Sequence, residues 1–145
     1  MGKHMQVRLV TKTADTKTAK SFARKEWIRF NRKIAYGWNT RKYVFAAYEG
    51  KEVVGFASLK INGGAAYLSQ LIVSKSMRGK GIGDALLSRF EALARSKKCH
   101  VVYLETSEEH KEALPFYKKR GYRVLAKLNN NKFHLVWYFL GKDIR

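Results

Sequence analysis

Apolar and polar positions in the first third of the chain repeat at helical spacing. Between residues 15 and 36, apolar side chains recur in steps of three and four, the period of one face of a helix or of a helix pair. These positions are Ala19, Phe22, Ala23, Trp27, Phe30 and Ile34. The opposite face carries Lys17, Lys20, Arg24, Lys25, Arg29, Arg32 and Lys33. Residues 6–10 alternate weakly and predict a first strand.

Residues 43–73 show the two-residue period of strands instead. The segments 43–48 and 52–61 flank a tight turn centred on Gly50, which is typical of a hairpin. A second turn at 62–64 leads into a third strand at 66–73. This part of the chain therefore predicts an antiparallel meander.

The second half alternates helices and strands. Residues 83–96 have a helical apolar stripe, and the short apolar run 101–104 predicts a strand covered on both faces. Thr106-x-x-Glu109 has the form of a capping box, which predicts that a helix begins there and runs to Arg120.

Two residues mark the course of that helix. Pro115 restricts its first turns, and Gly121 is placed to end it in the left-handed conformation. A strand at 122–127, a turn at Asn129-Asn130-Asn131 and a closing strand at 133–140 follow.

These elements predict one α+β (mixed α/β) domain over residues 5–145, with a largely antiparallel sheet and about four helices. The opening Met1-Gly2-Lys3-His4-Met5 contains His-Met, which often marks a cloning junction. Residues 1–4 are therefore left out of the fold prediction.

Composition narrows the class of protein. An apolar fraction of 46% with 19 aromatic residues (eight Tyr, eight Phe, three Trp) is that of a folded globular chain. The sequence has no apolar stretch of the roughly 20 residues that cross a bilayer and no signal-peptide core, so we expect a cytoplasmic protein without a membrane partner. A single cysteine, Cys99, permits neither an intrachain disulfide nor a cysteine-based metal site.

Charge is the strongest bulk signal. Thirty Lys and Arg against eleven Asp and Glu give a net charge of +19. A basic surface attracts polyanions, such as nucleic acid, an acidic protein or a phosphorylated cofactor, although the excess is also compatible with a role in solubility alone. The basic face of the predicted helix at 15–36 is a candidate nucleic-acid surface.

A glycine-rich loop supplies the clearest chemistry. Arg78-Gly79-Lys80-Gly81-Ile82-Gly83 joins strand 66–73 to the next helix, whose first turn contains Asp84. Helix N-termini offer unpaired N–H groups and a positive dipole end, and glycines let a phosphate approach the backbone closely. The spacing fits neither the dinucleotide fingerprint nor the P-loop. We therefore expect a site for a pyrophosphate.

Two motifs carry a family resemblance. Arg78-x-x-Gly81-x-Gly83 resembles the [Q/R]-x-x-G-x-[G/A] signature for the acetyl-CoA pyrophosphate, and residues 113–122, ALPFYKKRGY, resemble A-x-x-F-Y-x-x-x-G-[FY]. Together they resemble the GNAT N-acetyltransferase superfamily over residues 6–140. The resemblance implies a sheet splayed between strands 66–73 and 101–105, with the pantetheine arm of acetyl-CoA in the cleft.

The resemblance also implies residue roles. The end of strand 66–73 would bind the pantetheine amides through its backbone, and the loop would bind the pyrophosphate. His110 replaces an asparagine that many members use to contact the cofactor arm. The implied cofactor-binding residues are Leu71, Ile72, Val73, Arg78, Gly79, Lys80, Gly81, Ile82, Gly83, Asp84, His110 and Tyr117.

In the implied mechanism an amine attacks the thioester directly, and Tyr117 is the general acid for the leaving thiolate. No metal is expected. The general base is not evident, because strand 66–73 contains no carboxylate. Tyr67 lies nearest the usual place of the base, and Glu105 is the best remaining carboxylate. Glu108, Glu109, His110 and a water chain stay open as alternatives.

The acceptor amine is not identified by these motifs. We expect the segment 33–42 and the 129–131 turn to select it, with Tyr36, Trp38 and Trp27 as candidate walls, although Trp27 also fits a core position. Protein N-termini, lysine side chains and small amines all stay open as acceptors, and the positive charge favours one that is anionic overall, such as an acidic peptide N-terminus, an amino acid or a nucleotide-linked amine. The main hypothesis is an N-acetyltransferase, monomeric or homodimeric, acting on a primary amine. Alternatives are a nucleic-acid- or ribosome-associated protein and a non-catalytic acyl-CoA-binding member.

Overall fold

The computed structural model describes residues 5–30 and 39–145, which belong to two compact units. In the first, residues 5–11 take neither helix nor strand, and α1 spans Thr13–Phe30. The predicted strand at 6–10 is wrong. Val7 and Leu9 are 93% and 88% exposed, so their weak alternation buries no face that would hold a strand in register. Residues 31–36 of the predicted helix lie outside the described residues.

The second unit contains the sheet. Its strands are β1 (Arg41–Glu49), β2 (Glu52–Asn62), β3 (Ala65–Val73), β4 (Val101–Ser107), β5 (Arg123–Leu128) and β6 (Trp137–Asp143). Its α-helices are α2 (Ile82–Ser96) and α3 (Ala113–Lys119), and its short 3-10 turns are Lys75–Met77 and Lys132–His134. The described residues thus contain three α-helices, against about four expected. No helix among them is long and apolar enough to cross a membrane.

The six strands lie in the order β1-β2-β3-β4-β6-β5. Every neighbouring pair is antiparallel except β3 and β4, which run parallel. Their ladder has only four pairs, from Ala65 opposite Val101 to Leu68 opposite Leu104. Beyond Leu68 the two strands diverge, which confirms the predicted splay and opens a gap inside the sheet.

Helix α2 packs on one face of this sheet. Leu86, Leu87, Phe90 and Ala94 are buried in a core that also contains strand residues such as Leu59. Gly55 of β2 permits a close approach, because a Cβ there would lie 2.9 Å from Ile82 Cγ2 and 3.0 Å from Leu86 Cδ1. The missing side chain therefore lets the first turn of α2 rest on the middle of the sheet.

A buried polar network joins α2 to the end of the chain. The Tyr122 hydroxyl donates to Glu91 Oε1 at 3.0 Å, and the Lys142 ammonium donates to both Glu91 carboxylate oxygens at 2.9 and 3.1 Å. Glu91 is 9% and Tyr122 2% exposed. Burial, with the nearby Glu91 charge, raises the pKa of Tyr122 well above its ordinary value. The network fixes α2 against β6.

Two predicted boundaries in this unit are wrong. Thr106 does not cap a helix: it is buried in β4 opposite Tyr138, and α3 begins only at Ala113, so backbone pairing has taken the residue that local spacing assigned to a cap. The closing strand begins at Trp137 rather than at 133, because Phe133 and His134 have φ of +59°, which a strand cannot accommodate. Gly121, with φ of +90°, follows α3 as predicted.

Candidate functional site

A cleft of about 670 Å³ lies within the second unit, beside the divergence of β3 and β4. Its volume is within the usual range for small-molecule sites. Three segments form its walls: the end of β3, the glycine loop with the first turn of α2, and the chain from the end of β4 through α3. The lining residues are Leu71, Ile72, Val73, Met77, Arg78, Gly79, Gly81, Ile82, Gly83, Asp84, Glu109, His110, Lys111, Glu112, Ala113, Phe116, Tyr117 and Arg120.

The N-terminus of α2 faces this cleft. Gly81 is its N-cap residue, with φ of +82°, and among the described residues no side chain caps the helix. The first helical turn closes with the Ala85 N–H on the Gly81 carbonyl at 3.0 Å. The N–H groups of residues 82–84 therefore have no acceptor inside the helix and remain available to an anion.

Glycines shape the loop for a close-lying ligand. Gly79 has φ of +76°, and a Cβ at Gly79 or Gly81 would meet open space, so neither position is filled by a neighbouring side chain. Gly83 differs, because a Cβ there would lie 3.4 Å from Phe116 Cζ. The loop thus exposes its backbone on the cleft side while the helix packs against α3.

Arg78 is tied to the strand that precedes it. Its Nε donates to the Val73 carbonyl at 3.1 Å, and the Ser74 N–H bonds the Val54 carbonyl at 2.8 Å. These bonds connect the glycine loop to the ends of β2 and β3. The loop is therefore held in place beside the open edge of the sheet.

An ion pair bridges the two helices that border the cleft. Arg120 Nε bonds the Asp84 carboxylate, and Arg120 Nη1 donates to the Phe116 carbonyl at 2.6 Å. The guanidinium also stacks 3.6 Å from the centre of the Phe116 ring. The hydrogen bond from Arg120 holds the pKa of Asp84 below its usual value. The negative charge of Asp84, in the first turn of α2, is therefore balanced by Arg120.

Tyr117 lies at the inner wall of the cleft, 8% exposed. Its ring makes edge contacts with Phe116 at 5.1 Å and with Tyr122 at 5.5 Å between centroids. Burial raises the pKa of Tyr117 to about 12, against a lowering by the Arg120 charge. The phenol is held protonated at neutral pH, the state required of a proton donor.

His110 is oriented by the end of β4. The Ser107 hydroxyl and His110 Nδ1 are 3.1 Å apart. The backbone N–H of His110 donates to the Ser107 carbonyl at 3.1 Å. Ser107 is 3% exposed, so it is a fixed partner for the ring. His110 is thereby presented to the cleft from a defined direction.

A second cluster surrounds the end of the β3–β4 ladder. The Lys132 ammonium lies 2.7 Å from Glu105 Oε2 and 4.8 Å from the centre of the Trp137 ring. Burial raises the pKa of Tyr67, and the charge of Glu105 and a hydrogen bond with it raise that pKa further, against a lowering by Lys132. Tyr67 and Glu105, identified separately from the sequence, are thus direct neighbours.

Most of the predicted cofactor residues meet in one place. Among the described residues, every one of them lines the cleft except Lys80, whose ammonium lies 3.5 Å from Met77 Sδ. Tyr67 and Glu105 are outside the lining set. Of the alternative bases, Glu109 and His110 line the cleft, whereas the Glu108 carboxylate accepts the Val136 N–H at 3.0 Å and so ties two chain segments together.

The predicted acceptor walls fall partly on residues that the structure describes. Tyr36 and Trp38 lie outside the described residues, as do residues 33–38 of the segment expected to select the acceptor. Trp27 belongs to α1 and makes an edge contact with Phe30 at 5.6 Å between centroids. The described residues contain no group of three or more His, Cys, Asp or Glu placed to hold a metal ion.

Sequence reasoning missed two cations. Arg120 lies in the second motif, which assigns it no role, although its spacing of four from Phe116 is a signal for stacking along a helix. Lys132 sits in a polar turn 27 residues from Glu105, and nothing local in the sequence indicates that pairing. Both residues matter because they set the charge beside acidic groups of the candidate site.

Comparison with known proteins gives a consistent result. A family model described as Acetyltransferase (GNAT) family matches residues 12–122. Glucosamine 6-phosphate N-acetyltransferase of Trypanosoma brucei brucei is 39% identical over 87 residues, which cover 55% of this chain and 57% of that protein. The chain spans about half the length of the curated relatives it matches.

Solved structures share the fold. An acetyltransferase from Bacillus cereus ATCC 14579 has a TM-score of 0.74 at 21% identity, covering 97% of each chain. A Bacillus anthracis structure in complex with acetyl coenzyme A has a TM-score of 0.66 at 22% identity, covering 72% of this chain and 63% of that one. At such identities the likeness concerns the fold.

Proposed function

The chain belongs to the acetyltransferase (GNAT) family, and from that premise we propose that it transfers an acetyl group from acetyl-CoA to a primary amine. One observation carries the proposal. The uncapped N-terminus of α2, the open edge of β3 and the Tyr117 phenol line a single cleft. They are, respectively, an anion site, a row of backbone groups for an extended ligand, and a proton donor.

The residues present suit acetyl-CoA. The N–H groups of residues 82–84 and the Arg78 side chain provide donors for a pyrophosphate. Residues 71–73, beyond the last pair of the parallel ladder, offer backbone groups to an amide-containing arm. Bound acetyl-CoA would supply the thioester carbonyl that the amine attacks.

Residues of this chain then carry out two proton transfers. The acceptor must lose a proton before its nitrogen can form the new amide bond, and Glu105, beside Tyr67, is the proposed base, directly or through water. When the carbon–sulfur bond breaks, the sulfur carries the electron pair and takes a proton from the Tyr117 hydroxyl. The products are an N-acetylated amine and coenzyme A with a free thiol.

The acceptor is proposed to carry negative charge. The net charge of +19 favours encounter with anionic molecules. The similarity to glucosamine 6-phosphate N-acetyltransferase is consistent with this class of acceptor, an amine on a phosphorylated molecule.

A thiol-release assay with acetyl-CoA and a panel of amines tests the proposal, with the thermal shift produced by acetyl-CoA measured in parallel. We expect thiol release that depends on one acceptor class. Stabilisation by acetyl-CoA without turnover of any amine would indicate a cofactor-binding member that is not an enzyme. No stabilisation and no turnover would reject the cofactor itself.

The basic face of α1 favours nucleic acid as a second partner. Within that helix, Lys17, Lys20, Arg24 and Lys25 are exposed. Changing these four residues to glutamine should weaken RNA or DNA binding and reduce its salt dependence. RNA or DNA binding that is unaffected by the four changes would rule out this surface as the binding site.

A further inference from the structure

The ion pair between Lys132 and Glu105 stands at a distinctive place in the sheet. Glu105 is the first residue of β4 after the last parallel pair, Leu68 opposite Leu104. The gap between β3 and β4 therefore begins at the backbone of Glu105.

The Lys132 ammonium pairs with the Glu105 carboxylate in the way that the ammonium group of a bound ligand would. Its primary ammonium is 2.7 Å from the carboxylate and stands against the Trp137 ring, 4.8 Å from the centroid. A carboxylate with an aromatic face is a recognised cage for an ammonium group. The site is thus suited to a primary amine, and the chain's own amine fills it.

The side chain of Lys132 is able to leave while its backbone stays. Trp137 Nε1 donates to the Lys132 carbonyl at 3.0 Å, and the Leu135 N–H bonds the same carbonyl at 3.2 Å. The side chain is 53% exposed, whereas that of Glu105 is 21% exposed. The ammonium can therefore swing into solvent on its flexible stem without moving the turn.

Displacement has an electrostatic consequence. An incoming ammonium pairs with Glu105 but leaves Lys132 without its partner carboxylate. An acceptor that also carries an anionic group gives Lys132 a new partner. Glu105 and Lys132 then each exchange one charged partner for another, and neither charge is left unpaired.

We propose that Glu105 and Lys132 together form the acceptor subsite, in which Glu105 receives the ammonium and Lys132 receives a carboxylate or phosphate of the same molecule. This inference rests on the proposed acetyl transfer and specifies its substrate class. Lys132 acts here as a specificity-determining residue, and it takes no part in the bond changes.

Matched acceptors test the pairing. Glucosamine 6-phosphate is compared with glucosamine, and β-alanine with β-alaninamide, in the wild-type protein and in Lys132→Met, Lys132→Arg and Lys51→Met. Lys51, in the turn between β1 and β2, controls for the loss of one positive charge. Steady-state thiol release gives kcat and KM for each combination.

We expect the wild type to prefer glucosamine 6-phosphate, β-alanine or both over the neutral counterpart by about tenfold or more in kcat/KM. Lys132→Met should abolish that preference through a higher KM with kcat retained, Lys132→Arg should keep most of it, and Lys51→Met should change neither. Glu105→Gln should raise the KM of both members of each pair. An unchanged preference in Lys132→Met overturns the proposal. So does a loss of preference that arises only from a lower KM for the neutral amines, with no higher KM for the anionic ones, because Lys132 would then be only a competitor.

Failure of the enzyme activity is distinguishable from failure of the subsite. If no acceptor is acetylated, calorimetric binding of the same four compounds in the presence of coenzyme A replaces turnover. Preferential binding of an anionic member that is lost in Lys132→Met supports the subsite even without catalysis. Equal binding of both members, or no binding of any, overturns it.

Discussion

Tyr67 and Glu105 lie on neighbouring parallel strands, on opposite sides of the last rung, Leu68 opposite Leu104, and the Glu105 carboxylate raises the pKa of the Tyr67 phenol beyond the effect of burial. The two residues form one polar unit at the point where the sheet opens. A base on either residue would therefore be tuned by the other.

The pairing of Tyr67 with Glu105 predicts non-additive kinetics. Glu105→Gln should lower kcat/KM by roughly 10²–10⁴, the usual contribution of a general base, and Tyr67→Phe should lower it less. The double variant should be no worse than Glu105→Gln, because Tyr67 acts through the carboxylate. Thiol-release kinetics of the three variants measure this, and effects that simply multiply would show that the residues act separately.

Loss of the Tyr117 hydroxyl should affect the chemical step rather than cofactor binding. Tyr117→Phe should lower kcat by roughly 10²-fold or more, with acetyl-CoA affinity nearly unchanged, because the ring packing stays. Since burial raises the pKa of Tyr117 to about 12, the phenol keeps its proton below that value, and its titration should cause no loss of rate between pH 7 and pH 10.

A pH–rate series of wild type and Tyr117→Phe checks both statements. A wild-type rate that falls from pH 9 to pH 10 while the variant's rate does not would mean that the phenol ionises in that range. Unchanged kcat in the variant would remove Tyr117 from the proton transfer.

Gly81 should be required for the cofactor and not only for the backbone. Gly81→Ala places a side chain at φ of +82°, with a stability cost of about 1–2 kcal/mol. The new methyl group enters open space beside the uncapped helix start, so acetyl-CoA affinity should fall by about tenfold or more.

Gly50→Ala is the matched control for Gly81→Ala. Gly50 also has a positive φ, +59°, and open space around its Cβ position, but it lies in the turn between β1 and β2. Gly50→Ala should lose a comparable free energy of unfolding, measured by urea denaturation. It should keep its affinity for acetyl-CoA, measured by calorimetry. Equal loss of affinity in both variants would attribute the effect to backbone strain alone.

The Glu91 network predicts a large stability effect away from the cleft. Glu91→Ala leaves Lys142 and the Tyr122 hydroxyl without their shared acceptor, which should lower the free energy of unfolding by about 3–5 kcal/mol. Glu52→Ala, at an exposed start of β2, should change it by less than about 0.5 kcal/mol. Urea denaturation compares the two, and a similar small change in both would mean that the network contributes little.

Local chemistry explains which features the sequence predicted. The unit made of β3, the glycine loop and α2 was predicted because its period, its glycines and its basic residues are contiguous in the chain. The splay between β3 and β4 was implied by the resemblance, and the four-pair ladder confirms it. Gly121 was predicted for the same local reason, since a left-handed residue at a helix end favours glycine.

Non-local pairing explains what the sequence did not predict. Thr106 has the spacing of a helix cap, but the ladder with β6 takes it into a strand. The contact of Lys132 with Glu105 depends on how the turn before β6 folds back, and no periodicity encodes it. The strand predicted at 6–10 fails because alternation alone does not supply a partner.

The short ladder between β3 and β4 has a consequence for solubility. Exposed strand edges usually invite other chains to add a strand, and proteins protect them with charge or by covering them. Here the open edge beyond Leu68 lies within the sheet, between β3 and β4, and the outer strands β1 and β5 carry Arg41, Lys42, Arg123 and Lys127. The fold can thus keep unpaired backbone groups available without offering neighbouring molecules a template for aggregation.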